Sequence, residues 1–467
     1  MHVVVIVLGD VGRSPRMQYH ALSLLQEGFD VSLVGYDGED LIPDLVQYYD
    51  DDDTNKQQQQ QLNVVRFTTL PPPQILRKYK QLLLPLYFAW RLVSLVGGLV
   101  WALWMLTRDT RRRRRRRQPV DCVLVQNPPA IPLLFVTYLY CQILGLVSGY
   151  NKNRRPKLII DWHNLGYSML RPGSAIQRLA KWYEEAMAPL ADGHLCVTKA
   201  MKDFLRKDMK LVKDISVLYD CPPSMFRPLS VEEQHAFLLR LQQESIKDCC
   251  SWTKELTETQ TLLTEQQQVN GKIMPRRNRP VLVTSSTSWT EDEDFGILLE
   301  ALVSLDQRLD NLRVLVFVTG KGPMKAFYEE KISKLQLQHI SIHTLWLAPG
   351  DYPLLLACAD VGVSLHTSTS GLDLPMKILD LYGCETPVCA IDFECLDELV
   401  QDKVTGRVFS TSTELANQLS SLLSPIPERA GPHSFGDLAT YSSNLKGRQR
   451  WSENWKAHAL PLLTTSA

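Results

Sequence analysis

The first residues of this 467-residue chain with side chains suited to chemistry lie in the stretch GDVGRSPRMQ, directly after an apolar, β-branched run. Asp10 offers a carboxylate that can remove a proton, and Gly12 lets a loop approach a ligand closely. Arg13 and Arg16 flank the predicted amino end of a helix, where an anion or sugar hydroxyls could bind. An ordinary turn with solvated arginines explains the same residues, and this stretch alone does not decide between the two interpretations.

Ser14 and Pro15 predict where that helix begins. The Ser14 hydroxyl is expected to accept a hydrogen bond from a free backbone N–H, and Pro15 has a pre-set φ at a position that needs no donor. Met17 and Ala21 fall on one helical face, and Gly28 stands where a helix stop is expected. The pattern therefore predicts a strand, a tight loop and a helix.

A second polar group, DWHNLGY, follows the apolar residues 158–160. His163 and Asn164 are side chains suited to proton transfer and sugar recognition at the carboxyl end of a strand. A purely structural histidine is the alternative interpretation.

Two further motifs lie in the second half of the chain. In VFVTGKGPMK, Gly320 and Gly322 allow a close backbone approach to a phosphate and Lys321 supplies charge, although this motif alone is weakly specific. In the acidic stretch TEDED, residues 290–294, a hydroxyl followed three residues later by Glu forms a capping box, so these acids can simply serve a helix start.

The most specific motif is HTSTSGLDLPMKILD, residues 366–380. Free amides near Ser370 and Gly371, at the start of the following helix, suit a diphosphate, and Lys377 adds charge in the first turn. Asp380, one turn further on, could accept hydrogen bonds from ribose hydroxyls. A glycine-containing loop before a solvated helix is the alternative.

The elements that must position these motifs alternate between strand and helix patterns, which predicts two doubly wound, Rossmann-like α/β halves. Ligands of such sheets bind at the carboxyl ends of the strands, so we expect the site in a cleft between the halves. The predicted strands are residues 3–8, 31–34, 63–67, 120–126, 157–161, 194–197 and 215–218, then 280–285, 312–319, 340–344, 361–365 and 387–391.

These patterns divide the chain into four parts. Residues 1–228 form a first domain, residues 229–279 a polar connector with little strand signal, and residues 280–440 a second domain. Residues 441–467 are expected to form a helical segment that packs back on the first domain.

Composition limits the kind of partner. Lys plus Arg equals Asp plus Glu at 51 each, which argues against a nucleic-acid backbone as the main partner. Ten cysteines without a CxxC pair indicate a reducing compartment. The first apolar run is short and lacks a basic flank, so we expect no signal peptide. Residues 50–53 and 57–61 form a low-complexity patch of Asp and Gln for which we expect a disordered loop.

Residues 82–106 predict membrane contact, because they are apolar, rich in aromatic residues and followed by the arginine run 111–117. Pro85 and Arg91 break the apolar run, and the uncharged stretch after Arg91 is shorter than the ~20 residues of a spanning helix, which favours an interfacial location over a spanning helix. The second apolar run, residues 130–149, lies between two predicted strands and is expected to be a buried or half-buried crossover helix.

Several of the motifs described above resemble those of the chitobiosyldiphosphodolichol β-mannosyltransferase family of GT-B glycosyltransferases, and the resemblance extends over both halves of the chain. The stretches that carry it are GDVGRSPRMQ, DWHNLGY, VLYDCPPSMFRP, SSTSWTEDEDFGILLEAL and HTSTSGLDLPMKILD. The resemblance implies an inverting transfer of mannose from GDP-mannose to GlcNAc2-diphosphodolichol, forming a β-1,4 linkage in lipid-linked oligosaccharide synthesis. It also implies the cytosolic face of the endoplasmic reticulum membrane, no metal or other cofactor, and leaves open a complex with other mannosyltransferases of the same synthesis.

The resemblance also implies roles for the candidate residues. Asp10 is the first choice as general base and His163 the second. Arg13 and Arg16 are expected to contact acceptor or donor phosphates, with Gly12 and Asn164 on the acceptor side. The donor is expected to bind Gly320, Lys321, Gly322, Ser370, Gly371, Lys377 and Asp380.

Two departures from related GT-B enzymes matter. Many carry two glutamates separated by seven residues, whereas this chain has Leu372 eight residues before Asp380 and Asp373 displaced by one, so Asp373 is only a candidate donor contact. Relatives also tend to have basic residues after the first strand of the second domain, where this chain has acids, so Glu291 or Asp292 could take a catalytic part. A catalytically inactive, membrane-bound binding subunit is the alternative function.

Overall fold

The computed structural model describes residues 1–48, 62–112, 119–146, 155–244, 246, 252–253, 256–291, 293–423 and 436–465. The low-complexity patch and residues 113–117 of the arginine run lie outside these ranges. The chain forms two compact units: unit 1 is Met1–Tyr219 with Trp451–Ala467, and unit 2 is Asp220–Arg450.

Unit 1 is built on a parallel sheet of seven strands in the order β3-β2-β1-β4-β5-β6-β7. Residues 3–7 of its central strand are at most 1% exposed, as expected for a strand covered by helices on both faces. The strands are β1 (His2–Asp10), β2 (Asp30–Tyr36), β3 (Leu62–Phe67), β4 (Val120–Asn127), β5 (Lys157–Trp162), β6 (Gly193–Cys196) and β7 (Asp214–Val217). The helices are α1 (Pro15–Gln26), α2 (Pro43–Val46), α3 (Gln74–Lys78), α4 (Leu84–Arg112), α5 (Leu133–Leu146), α6 (Ala175–Met187) and α7 (Lys199–Lys207).

Unit 2 repeats this architecture with six parallel strands in the order β12-β11-β10-β13-β14-β15, beside a small antiparallel ribbon. The ribbon is β8 (Thr264–Gln266) and β9 (Ile273–Pro275), and the sheet is β10 (Val281–Ser286), β11 (Val314–Thr319), β12 (Ile340–Leu345), β13 (Val361–Ser364), β14 (Val388–Ile391) and β15 (Gly406–Phe409). Its helices are α8 (Val231–Glu244), α9 (Phe295–Asp306), α10 (Lys325–Ser333), α11 (Asp351–Cys358), α12 (Met376–Gly383), α13 (Ser412–Leu422) and α14 (Gly436–Leu445).

All twelve predicted strands are present, and the two Rossmann-like halves are confirmed. Sequence reasoning missed β15 and the ribbon β8–β9, which are only three or four residues long. The segment predicted as a connector contains α8, whose Phe237 and Leu238 pack in one core with Leu282 and Phe317 of unit 2.

The last helices, α15 (Trp451–His458) and α16 (Leu460–Thr464), belong to unit 1. Trp455 is fully buried in the core that contains Val3 and Met17, and its indole N–H donates to Nδ1 of His20 over 2.9 Å. Lys157 at the start of β5 donates to the carbonyl of Leu462. These contacts attach the end of the chain to the first sheet.

The apolar segment before the arginine run forms the continuous helix α4, with Pro85 and Arg91 both inside it. Pro85 lies in the first helical turn, where its missing N–H has no partner to lose. Of the described residues, Leu84–Arg108 alone form a helix long and apolar enough to cross a membrane. One face nevertheless packs on unit 1 through Leu99, Leu103 and other side chains at most 3% exposed.

The second apolar run forms α5, which is half-buried as predicted and follows β4 in the crossover position. Tyr140 and Leu144 are buried, whereas Phe135 and Ile143 are exposed on the opposite side. The apolar composition of α5 therefore exceeds what the core of unit 1 requires.

Candidate functional site

The polar residues at the carboxyl edge of the first sheet are organised around Asp161, which is completely buried at the end of β5. Arg16 of α1 binds both carboxylate oxygens, Nε at 2.8 Å and Nη2 at 2.9 Å. Burial alone would raise the pKa of Asp161, but the charges and hydrogen bonds of Arg16 and His163 outweigh it and hold the pKa well below its usual range. Asp161 is therefore a buried, ionised carboxylate.

Arg16 itself is only 5% exposed and also donates to the carbonyl of Leu218, while its guanidinium lies over the ring of Trp451. A guanidinium so committed does not face a ligand. The prediction that Arg16 contacts a phosphate does not fit this burial, because the charge that was expected to attract an anion is already paired inside the protein.

Two histidines also donate hydrogen bonds to the carboxylate of Asp161. Nε2–H of His163 donates to Oδ2 over 2.8 Å, and Nε2–H of the buried His20 donates to the same oxygen over 3.1 Å. Burial lowers the pKa of His20, so its ring is neutral. The His163 side chain is 22% exposed, and its Nδ1 has no hydrogen-bond partner among the described residues. With Nε2 protonated towards Asp161, Nδ1 holds a free lone pair that can accept a proton.

Asp10 is placed differently. Its Oδ1 accepts from the backbone N–H of Gly12 over 2.9 Å, and its Oδ2 accepts from the N–H of Glu39 over 3.0 Å. The guanidinium of Arg13 lies 3.5 Å away. The carboxylate thus ties the loop after β1 to the loop after β2, and most of its lone-pair capacity is used in doing so.

The other first-half candidates contribute to the same loops. A Cβ at Gly12 would lie 2.4 Å from the carbonyl oxygen of Glu39, so the glycine allows two backbones to approach. Arg13 is exposed and pairs with Glu39 at 2.7 Å, which leaves its charge accessible from solvent. The Asn164 side chain accepts from the N–H of Leu165 over 2.7 Å and so orders the turn after His163.

Ser14 precedes α1, as predicted, but does not cap it in the expected way. Its side chain accepts no N–H from the helix and instead donates to the carbonyl of Asp10 over 2.9 Å. The capping prediction is wrong, because the hydroxyl finds an acceptor in its own loop.

Glu184 of α6 is a buried carboxyl beneath the His163 loop that the motifs did not reveal. Its Oε1 accepts from the N–H of Gly166 over 2.9 Å, and its Oε2 has no hydrogen-bond partner within the described part of the chain. Burial raises its pKa to about 7. A Cβ at Gly166 would lie 2.5 Å from Oε1 of Glu184, so any larger residue there would displace this carboxyl.

In unit 2 the central residue is Glu293, which is 2% exposed in its side chain. Its carboxylate accepts from the Thr287 hydroxyl over 2.8 Å and from the Ser288 N–H over 2.7 Å, and it pairs with His366 at 3.0 Å and with Lys377. Burial raises its pKa, but hydrogen bonds from His366 and Lys377 outweigh this and hold the pKa below its usual range. Glu293 therefore joins the loops after β10 and β13 to the start of α12.

Sequence reasoning selected Glu291, which is exposed, rather than Glu293 from the same acidic stretch. The predicted capping box does not form at the start of α9. Asp294 caps this helix instead, by accepting a hydrogen bond from the N–H of Gly296 over 2.9 Å. Asp292 lies outside the described residues. The signal that could have identified Glu293 is its position directly before the capping Asp294, where a side chain can point back towards the sheet edge.

Gly320 and Gly322 serve a packing role that was not predicted. Cβ atoms there would lie 1.8 Å and 1.7 Å from the carbonyl oxygens of Thr287 and Ser288, so the loops after β10 and β11 can meet only with glycine. Gly320 also has φ +133°, a conformation that favours glycine. Lys321 is exposed, with its ammonium 3.7 Å from the ring centre of Trp346, and it is not among the contacts of Glu293.

The loop before α12 is held by its own side chains. The Ser370 hydroxyl donates to Asp373 over 3.2 Å and accepts from the N–H of Leu372 over 3.2 Å, and Ser368 also donates to Asp373. Gly371, at φ +73°, makes the turn. Asp373 is therefore a loop anchor in this structure, and some of the amides that the sequence left free are already bonded.

Two predicted donor contacts lie on α12 itself. Lys377 is in the first turn, close to amides of the helix amino end, and its side chain is 29% exposed. Asp380 follows one turn later, and its carboxyl accepts no hydrogen bond from the described residues. Burial raises the pKa of Asp380 to about 7. A hydroxyl-bearing ligand would supply the hydrogen bonds that this carboxyl lacks.

Within the described ranges, no group of three or more His, Cys, Asp or Glu side chains is arranged to hold a metal ion. The groups placed to do chemistry are an Asp-supported imidazole in unit 1 and a lysine at a helix amino end in unit 2.

Comparison with known proteins identifies relatives over the whole chain. The mouse chitobiosyldiphosphodolichol β-mannosyltransferase is 40% identical over 480 residues, which cover 100% of this chain and 89% of the relative. A protein of Arabidopsis thaliana called UDP-glycosyltransferase TURAN is 38% identical, covering 98% of this chain and 96% of the relative.

Two other comparisons agree. A family model described as glycosyl transferases group 1 matches residues 279–425. A solved glycosyltransferase structure from Rickettsia africae superposes with a TM-score of 0.57 at 13% identity, covering 100% of this chain and 99% of that one. This likeness shows the fold, which is the predicted GT-B glycosyltransferase fold.

Proposed function

Since this chain belongs to the chitobiosyldiphosphodolichol β-mannosyltransferase family, and is accordingly a glycosyltransferase of lipid-linked oligosaccharide synthesis, we propose that it transfers mannose from GDP-mannose to GlcNAc2-diphosphodolichol. Mannose is α-linked in the donor and β-1,4-linked in the product, so the configuration at its anomeric carbon is inverted. The observation that carries this proposal is the partly exposed imidazole of His163, which is held by the buried carboxylate of Asp161.

An inverting displacement needs one base, which removes the proton of the acceptor hydroxyl while the nucleoside diphosphate leaves from the opposite face of the sugar. His163 meets the chemical requirement, because Nδ1 is unpaired among the described residues and the imidazolium formed on proton uptake is stabilised by Asp161. Arg16 and His20 then act as positioning residues: Arg16 helps to hold Asp161 ionised, and His20 donates a hydrogen bond to the same carboxylate. Asp10 remains the rival base.

The donor is assigned to unit 2. Lys377 and the amino end of α12 supply positive charge for the leaving diphosphate, so fixed cations and dipoles can stabilise it. Glu293 and His366 orient the lysine, and Asp380 accepts hydrogen bonds from the ribose hydroxyls. Lys321, Gly320, Gly322, Ser370, Gly371 and Asp373 remain proposed donor contacts that act from the surrounding loops.

The acceptor is assigned to unit 1. Arg13 has an accessible guanidinium that can meet the acceptor diphosphate, and Asn164 and Gly12 shape the loops on either side. The aromatic side chains Phe88, Trp101 and Trp104 of α4, each about half exposed, support attachment to a membrane at the cytosolic face of the endoplasmic reticulum. A complex with other mannosyltransferases of the same synthesis remains part of the proposal.

The decisive experiment incubates detergent-solubilised full-length protein with labelled GDP-mannose and a lipid-diphosphate chitobiose acceptor, and analyses the product with a β-mannosidase and an α-mannosidase. We expect a labelled lipid product from which β-mannosidase releases the labelled mannose and α-mannosidase does not. Tight GDP binding without any transfer would support the inactive binding subunit instead. UDP-linked sugars belong in the same assay, because the name of the Arabidopsis relative refers to UDP.

A further inference from the structure

An apolar groove of about 770 Å³ runs between α4 and α5 on the outside of unit 1. Eleven of its thirteen lining residues are apolar or aromatic, among them Val100 and Trp104 of α4 and Phe135 and Leu139 of α5. These four side chains are between 40% and 51% exposed. Its volume falls in the range of ~300–1,000 Å³ that is typical of small-molecule pockets.

The polar lining atoms are paired with each other or placed at one end. The Thr107 hydroxyl donates to the carbonyl of Leu103 over 2.9 Å and lies 3.3 Å from the hydroxyl of Tyr140. Arg108 lies at the end of the groove with its guanidinium over Trp104. The groove therefore offers little to a sugar or a polar peptide, but its chemistry suits a hydrocarbon chain next to an anionic surface.

The other end of the groove lies at the sheet edge that carries His163. Pro132, which lines this end, follows β4 by five residues and has its carbonyl within 3.3 Å of the Tyr183 hydroxyl. The backbone N–H of His163 donates to the carbonyl of Asn127, the last residue of β4, over 2.8 Å. The groove thus begins one loop away from the imidazole and leads away from it along α5.

We infer that this groove binds the isoprenoid chain of the lipid-linked acceptor, an inference that rests on the proposed function. The polar head of the acceptor must reach the base, and its long apolar tail must extend away from the base. The groove begins near the base and can hold the first part of that tail. A second copy of the chain is the less suitable occupant, because thirteen residues are fewer than the roughly 20–30 a side of a stable interface.

The test compares two acceptors with the same chitobiosyl diphosphate head, one on a long isoprenoid and one on a short alkyl chain. Val100→Trp narrows the groove and Leu139→Gln makes it polar. For these variants we expect the KM of the long-chain acceptor to rise about tenfold, as expected for losing a few apolar contacts, with kcat and the KM values of the short-chain acceptor and GDP-mannose unchanged. Trp182→Gln, an exposed apolar residue of α6 outside the groove, is the matched control and should change nothing.

A second measurement is independent of transfer. Binding of a fluorescent, sugar-free isoprenyl diphosphate, followed by anisotropy, should weaken about tenfold in the groove variants and remain unchanged in the control. Equal binding by all variants would overturn the inference even if the enzyme is active. Equal changes in KM for both acceptors would also overturn it, as would a change in oligomeric state caused by the groove variants. Absence of transfer with normal isoprenyl binding would instead count against the proposed function.

Discussion

Nε2 of His163 lies 2.8 Å from Oδ2 of Asp161, so a partly exposed imidazole donates its proton to a carboxylate that has no exposure to solvent. The two residues are two positions apart at the end of β5, and side chains so spaced along a strand lie on the same side of the sheet. Arg16 holds the carboxylate from behind. This arrangement fixes the ring and leaves Nδ1 available.

Replacing His163 with Gln should lower kcat by about 10²–10⁴-fold, the usual contribution of general base catalysis, without changing GDP affinity. The matched variant is Asp10→Asn, which retains an oxygen for the N–H of Gly12 and should cost much less turnover. Steady-state kinetics and calorimetric GDP binding on both variants decide the assignment. A larger loss of kcat in Asp10→Asn would make Asp10 the base.

Replacing Lys377 with Met should weaken GDP binding by about tenfold or more, because the diphosphate loses a charged partner at the amino end of α12. Lys334→Met is the control, since Lys334 is an exposed lysine that pairs with Glu330 one helical turn away. Isothermal titration with GDP measures both. Unaltered affinity in Lys377→Met would remove this lysine from the donor site.

GDP affinity should increase between pH 6 and pH 8, because burial raises the pKa of Asp380 to about 7 and the ionised form is the better acceptor for ribose hydroxyls. A single group with this pKa changes its ionised fraction about tenfold over that interval, and the dissociation constant should change accordingly. Asp380→Asn should bind more weakly at pH 8 and show a flatter profile. A profile equally steep in the variant would assign the titration to another group.

Glu184→Gln should stabilise unit 1 at neutral pH. Burial raises the folded pKa of Glu184 from 4.5 to about 7, so between these values the unfolded chain releases a proton that the folded protein keeps. The wild type therefore loses stability as pH rises through this window, by an amount on the order of 3 kcal/mol at most. Thermal melts at pH 5 and pH 7.5 should show a higher Tm for Glu184→Gln than for the wild type only at pH 7.5. Parallel melting at both values would contradict the raised pKa.

Replacing the arginines at 111–117 with Gln should reduce binding to anionic vesicles, since each basic charge near such a surface contributes about 1 kcal/mol. Flotation with phosphatidylserine-containing vesicles measures the effect, and vesicles of zwitterionic lipid alone are the control. Unchanged partitioning would show that the apolar face of α4 suffices for attachment.

The sequence was most informative where the signal is local. Short, largely apolar segments predicted every strand of four residues or more in the two sheets except β15, because strands buried on both faces are rich in apolar residues. The short ribbon β8–β9 has no such requirement and was missed. In α4, Pro85 and Arg91 break the apolar run but not the helix, because Pro85 lies in the first turn, where its missing N–H costs no hydrogen bond.

The candidate site was less predictable, because its key contacts join residues that are distant in sequence. Lys377 was recognised from its place at a helix start, but its partner Glu293 lies 84 residues earlier and looks like its acidic neighbours. Arg16 looked like an anion-binding residue because nothing local reveals that Asp161, 145 residues away, neutralises it. Glu184 belongs to a helix whose pattern gives no reason to single out one acid.

By itself, then, the sequence determined the two Rossmann-like halves, the loops at the carboxyl ends of their strands and the family to which the chain belongs, because hydrophobic period and turn residues act over a few positions. Only the tertiary structure decided which charges are buried in pairs and which stay accessible. Burial makes an unpaired charge costly, so packing withdraws Arg16 and Glu293 into ion pairs and leaves the imidazole of His163 and the ammonium of Lys377 partly exposed.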